Sequence, residues 1–242
     1  MEVKNYLLGY KDMYIYQNTE YFNFSLDSVL LPNFATINKS TKKILDIGCG
    51  NAPIPLILST KTGAHIIGVE IQPEIYELAK KSVVVNNLTD KIEIINEDIL
   101  EYAKTVESDQ FDLITCNPPF FKVEGSSNLN DNMCKSIARH EIKLNLEDIF
   151  KVAKKLLKNN GTIAIVHRPE RMIEIIESMK NNNIEPKKMR LVYPKLNENA
   201  NMLLIEGNKN GNSGLKILPP LYAHEKNGDY SREVLSYFET GD

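Results

Sequence analysis

The 242-residue chain has no tryptophan, four histidines and three cysteines, Cys49, Cys116 and Cys134. An odd number of widely separated cysteines excludes a disulfide framework and suits a reducing cytoplasm. His65, His167 and His224 are scattered and no Cys or His falls at ligand spacing, so no metal is expected. Apolar runs are short: Val29-Leu30-Leu31 and residues 54–58 fall far below the roughly 18 residues that span a bilayer, so no membrane association is expected. The start, MEVKNYLLGY, has neither the basic opening nor the apolar middle of a signal peptide. Twelve glycines and 11 prolines follow no period, which excludes collagen-like and low-complexity chains. What remains, 42% hydrophobic and 25% charged residues, is the composition of an ordinary globular protein. Its length suits a single domain over 1–242, and a monomer is expected.

From residue 43 onward strand-like and helix-like patterns alternate. Strands are expected at 43–47, 64–69, 92–95, 111–116 and 161–167, each short and rich in Ile, Val or Leu. Ile75, Leu78, Ala79 and Ser82 share a face of a helix that Pro73 opens. Leu146, Ile149, Phe150, Ala153, Leu156 and Leu157 form a second stripe, capped by Asn145 and stopped by Asn160-Gly161. Met172, Ile175, Ile176 and Met179 form a third. This alternation specifies an α/β fold with a mostly parallel sheet. Two last strands, 189–193 and 202–206, have no helix between them and should pair as a hairpin, placing one antiparallel strand in the sheet. A loop is expected at 207–214.

The first strand runs into Asp46-Ile47-Gly48-Cys49-Gly50-Asn51-Ala52-Pro53, a D-x-G-x-G loop rather than G-x-G-x-x-G. Its glycines allow a sharp turn and close approach to a ligand, and Pro53 and Pro55 suit a helix start. The second strand ends at Glu70, where a carboxylate can accept hydrogen bonds from ribose hydroxyls. The third leads to Asp98 and Ile99, placed to take an adenine amino group and to pack on its ring. The fourth runs into Asn117-Pro118-Pro119-Phe120. Two prolines stiffen the backbone, leaving the Asn117 side-chain oxygen and the Pro118 carbonyl as acceptors for both hydrogens of an exocyclic amine, and Phe120 to stack on the ring bearing it. Holding both hydrogens aims the nitrogen lone pair at an electrophile, for which the methyl of S-adenosylmethionine is suited; the by-product is S-adenosylhomocysteine. No general base is apparent. Cys49 and Cys116 read as packing, and Met172 and Met179 as core filler.

These residues resemble the class I S-adenosylmethionine-dependent methyltransferases that act on amines, and within them the bacterial tRNA(Val) adenine-N6 methyltransferase family. The likeness extends to Phe24-Ser25-Leu26-Asp27-Ser28-Val29-Leu30-Leu31, similar to that family's entry segment, and to Ala138-Arg139-His140. It implies a Rossmann-like, seven-stranded fold, with 1–40 an N-terminal lid, 41–207 the catalytic core and 208–242 a C-terminal extension. It implies Asp27, Asp46, Gly48, Gly50, Glu70, Asp98, Ile99 and Asn117 at the cofactor, Asn117, Pro118 and Phe120 at the base, and N6-methylation of the adenosine just 3′ of the anticodon. Guanine-N2 methylation of ribosomal RNA, glutamine-N5 methylation of protein and a non-catalytic cofactor-binding adaptor stay open as alternatives. The net charge of −3 hides a basic block, with 11 basic against 4 acidic residues in 151–195. Lys187, Lys188 and Arg190, with Lys122, Arg139 and His140, are the candidate tRNA contacts; the rest of the block reads as solvated helix faces or a phosphate-contacting surface.

Overall fold

A computed structural model describes residues 1–7, 9–10, 12–18, 25–118 and 144–238. Strands β1 (Glu2–Tyr6) and β2 (Tyr14–Asn18) form an antiparallel hairpin that composition did not announce. Helix α1 (Leu26–Phe34) leads into β3 (Lys43–Ile47), α2 (Pro53–Lys61), β4 (His65–Glu70), α3 (Pro73–Val85), β5 (Ile92–Asn96), α4 (Ile99–Thr105) and β6 (Phe111–Cys116). Then come α5 (Leu146–Leu156), β7 (Leu157–His167), α6 (Met172–Asn181), β8 (Ile184–Tyr193), β9 (Met202–Lys209), two-residue strands β10 (Lys216–Ile217) and β11 (Leu221–Tyr222), and α7 (Arg232–Phe238). No helix among the described residues is long and apolar enough to cross a membrane.

The main sheet has the order β10-β8-β9-β7-β6-β3-β4-β5, with β11 also paired to β8, so two short strands extend the seven expected. Strands β3 to β7 pair in parallel, and β9 lies antiparallel between β7 and β8. Interior strands such as β3 and β6 are buried on both faces, which explains their near-continuous apolar runs. One core packs α1, α2 and α7 against one face of the sheet, and a second packs α4, α5 and α6 against the other.

Three boundaries depart from the sequence pattern. Helix α5 stops at Leu156, and β7 begins at Leu157, four residues before the expected start. The backbone N–H groups of Asp109 and Gln110 bond to the Lys155 and Leu156 carbonyls, so the chain leaves the helix there and Asn160, with φ of 61°, sits in a bulge against β6. The terminal hairpin is longer than expected, with β8 starting at Ile184 and β9 running to Lys209. Gly207, expected in a loop, is therefore inside β9. A Cβ there would lie 2.3 Å from Met179 Cε and 2.7 Å from the Glu185 carbonyl, so α6 can close on the hairpin only over glycine.

Candidate active site

Register aligns the ends of four neighbouring strands. Asp46 pairs laterally with Thr115 of β6 and Gly68 of β4, Ile47 with Cys116, and Glu70 with Asn96. Asp46, Glu70, Asn96 and Asn117 thus gather at the carboxyl edge, where the strand order reverses between β3 and β6, the ligand crevice of such sheets. Glu70 on β4 and Asn117 after β6 are two strands apart, about 10 Å across the sheet.

The D-x-G-x-G loop turns as its glycines permit. Gly48 (φ +65°) and Gly50 (φ +56°) are both left-handed, and a Cβ on either would meet nothing within 4 Å, so the loop borders open space. Helix α2 opens with Pro53 behind Ala52, itself at φ 72°. Glu70 is buried and braces the loop: Oε2 accepts the Gly50 N–H at 3.0 Å and Oε1 the Gln72 N–H at 2.9 Å. The Gln72 side chain and the Ile71 N–H are further donors to the same carboxylate. Burial pushes the Glu70 carboxyl up, against those backbone donors.

Asp46 is fully buried. The Thr115 hydroxyl donates to Oδ1 at 2.6 Å, whereas Oδ2 has no partner among the described residues. Burial raises its pKa to about 7, opposed by the Thr115 bond and reinforced by the charge of Glu70. A buried acceptor left unbonded is costly, so this oxygen calls for a donor from a ligand. Asp98 caps α4 through Oδ1, which accepts the Leu100 N–H at 2.8 Å, leaving its other oxygen available; Ile99 is buried beneath it. An open glycine cradle, an orphan carboxylate oxygen and two strand-end acids fit a nucleoside ligand that carries hydroxyl and ammonium donors.

Asn117 and Asp27 meet, joining β6 to α1. The Asn117 Nδ2 donates to Asp27 Oδ2 at 3.0 Å and approaches Ser28 Oγ at 3.5 Å, while Oδ1 accepts no bond among the described residues. Asp27 was expected at the cofactor; within the chain it accepts from Asn117 and from the Ser25 hydroxyl. Pro118 is buried beside it. Phe24, Pro119, Phe120, Lys122, Ala138, Arg139 and His140 lie outside the described residues.

Of the expected RNA contacts, Lys188 and Arg190 are turned inward. Lys188 pairs with Glu206 at 3.0 Å, and Arg190 makes a two-pronged pair with Glu233 and donates to the Pro219 carbonyl. Lys187 donates to the Asn212 carbonyl at 2.9 Å. Lys158 pairs with Asp112 and Arg171 with Glu174, so much of the basic block serves internal contacts. Cys49 and Cys116 are buried thiols whose pKa burial raises well above the usual range, in keeping with packing. No cluster of three metal-ligating side chains occurs among the described residues.

Two features escaped the sequence reading. Thr115 as partner of Asp46 carried no signal beyond its place opposite the acid. The β1–β2 hairpin abuts the loop: Asn51 Nδ2 donates to the Tyr16 carbonyl at 2.7 Å, and the Tyr14 and Tyr16 N–H groups bond to Asn86 and Ser82 of α3 and its cap. Alternation in Tyr14-Ile15-Tyr16-Gln17-Asn18, where Ile15 and Gln17 are buried, was the available signal.

A family model described as a methyltransferase domain matches residues 38–218. A tRNA1(Val) (adenine(37)-N6)-methyltransferase of Aliivibrio salmonicida is 29% identical over 218 residues, covering 87% of this chain and 86% of that protein. A protein of the same name from Bacteroides thetaiotaomicron is 35% identical over 142 residues, 58% of this chain and 57% of its own. Among solved structures, a protein described as a predicted O-methyltransferase from Agrobacterium tumefaciens matches with a TM-score of 0.71 at 18% identity, covering 88% of this chain and 96% of that one, a likeness of fold. The matched stretch runs from ahead of β3 through β10 and contains the whole carboxyl edge: the chain belongs to the methyltransferase-domain family, with its Rossmann-like α/β fold.

Proposed function

We propose that this chain is an S-adenosylmethionine-dependent methyltransferase acting on N6 of an adenine in tRNA, at the position just 3′ of the anticodon. What supports the reading is Asn117, held by Asp27 just past the end of β6 and followed by Pro118, on the same sheet edge as a glycine loop braced by Glu70. The relatives named as tRNA1(Val) (adenine(37)-N6)-methyltransferases support the choice of substrate.

In this reading Glu70 and Asp98 hold the nucleoside part of the cofactor, the Gly48–Gly50 turn lets the backbone approach it, and the orphan oxygen of Asp46 takes a donor. When bound, S-adenosylmethionine supplies a methyl group on a cationic sulfur. Asn117 Oδ1 and the Pro118 carbonyl each accept one hydrogen of the adenine amine, so its lone pair turns out of conjugation with the ring. As the nitrogen gains positive charge its N–H groups become stronger donors, and the same acceptors bind the transition state more tightly than the ground state. The amine proton leaves to water afterwards, so no strong base is required.

Mass spectrometry of digested tRNA from cells with and without the gene tests the assignment. Loss of N6-methyladenosine from a valine tRNA is the expected result. Transfer of labelled methyl from the cofactor to ribosomal RNA or protein, with none to tRNA, would overturn it.

A further inference from the structure

The Asn117 amide can act only with its oxygen facing the substrate, and an amide has two nearly isosteric orientations. Asp27 decides between them. One of its oxygens accepts from Asn117 Nδ2 at 3.0 Å; the other is held by the Ser25 hydroxyl, so the carboxylate is braced from within the first turn of α1. Ser28 Oγ stands 3.5 Å from the same Nδ2. Turning the amide over would set Oδ1 against a carboxylate oxygen, two acceptors with no proton between them. Oδ1 accepts no bond among the described residues.

We infer that Asp27 is a positioning residue for methyl transfer: through Nδ2 it locks the Asn117 amide with Oδ1 towards the target amine and polarises that oxygen as positive charge develops on the substrate nitrogen. This rests on the amine-clamp role given to Asn117 above, and it assigns Asp27 to the amine rather than to the cofactor. The anion acts through the amide, so its effect falls on the transition state. Asparagine at 27 fits the same space but can pair with Asn117 either way round, which removes both the charge and the orientation.

The test compares Asp27→Asn with wild type in steady-state tRNA methylation, with cofactor binding followed by calorimetry using S-adenosylhomocysteine. A charge-assisted hydrogen bond corresponds to a fall in kcat of roughly 10- to 100-fold, while cofactor KM and dissociation constant stay within about twofold. Adding Asp27→Asn to Asn117→Ala should cost nothing further, because Asp27 acts through that side chain. The reverse pattern, weaker cofactor binding at unchanged kcat, overturns the assignment. A readout independent of substrate is the Nδ2 proton pair of Asn117 in the NMR spectrum of the cofactor-free protein. One proton should be displaced downfield in wild type and return in Asp27→Asn. An ordinary, solvent-like pair in wild type overturns the inference even if Asp27→Asn does not fold. If the wild-type enzyme methylates no tRNA, the proposed substrate fails while the amide resonances still decide the role of Asp27.

Discussion

Replacing Lys188 with methionine separates a structural from an RNA-binding role for the basic block. All three ammonium protons have acceptors: the Phe34 carbonyl at 2.8 Å, Thr36 Oγ1 at 2.7 Å and Glu206 Oε1 at 3.0 Å. The Glu206 side chain is only 5% exposed, against 21% for Lys188, so the pair sits largely away from water. Lys188→Met keeps the apolar stem and removes the charge, leaving Glu206 with the Thr36 N–H and hydroxyl as donors. Removing one partner of a buried pair costs about 3–5 kcal/mol. The two retained donors and the partial exposure of the lysine reduce this to about 2–3 kcal/mol. For a chain of this size that loss lowers Tm by roughly 4–12 °C. Calorimetry and urea titration of the cofactor-free protein measure it, beside tRNA affinity at several salt concentrations. Lys188→Met combined with Glu206→Gln should recover part of the loss, since no buried charge is then left alone. A phosphate contact would behave otherwise, reducing the salt slope of tRNA binding by about one. Unchanged Tm with weaker, less salt-dependent tRNA binding would refute the structural role.

Asn117→Ala should lower kcat by at least about 100-fold, as expected for losing a preorganised acceptor, with S-adenosylhomocysteine affinity by calorimetry intact; a large loss of that affinity would place Asn117 at the cofactor instead. Asp46, whose pKa burial raises to about 7, is destabilising once ionised, so its contribution is full below the unfolded value near 4 and fades as pH rises to about 7. His167, held near 4 by burial, works the other way, adding stability as pH rises towards about 6.5. The comparison is therefore between wild type and Asp46→Asn in the cofactor-free state: urea midpoints from pH 4 to 8 should show wild type losing ground to the variant, and parallel curves would contradict the burial argument. Gly207→Ala drives a methyl into Met179 and the Glu185 carbonyl and should cost about 1–3 kcal/mol by overpacking, read as a lower Tm; a neutral result would mean α6 shifts freely over the hairpin.

The residues proposed for the site share a local signal. Asp46, Glu70, Asp98 and Asn117 each lie at or just past the end of a strand whose Ile, Val and Leu content marks it, and a parallel sheet brings the strand ends to one edge. The α5 cap is equally local, with Asn145 Oδ1 accepting the Asp148 N–H at 2.9 Å. What escaped is long-range. Lys188 and Arg190 look like free cations in a linear reading, and only the fold supplies Glu206 and Glu233 as partners. The contact of Asp27 with Asn117 spans 90 positions, so no spacing rule shows that the acid meets an amide. The bulge at Asn160 arises because residues 109–110 compete for the last carbonyls of α5.

The two ends of the described chain are docked on each other. Tyr10 Oη donates to the Tyr237 carbonyl at 2.9 Å across 227 positions, and a Cβ on Gly9 would fall 2.1 Å from Phe238 Cβ. At ribosomal speeds of about 5–20 residues per second, residues near Tyr10 wait roughly 10–45 s before α7 is made. Until then Leu7 and the inner face of α1 lack part of their cover. The segment around Tyr10 and the inner face of α1 thus complete their packing only once α7 is in place, and losing α7 would open an apolar seam along α1.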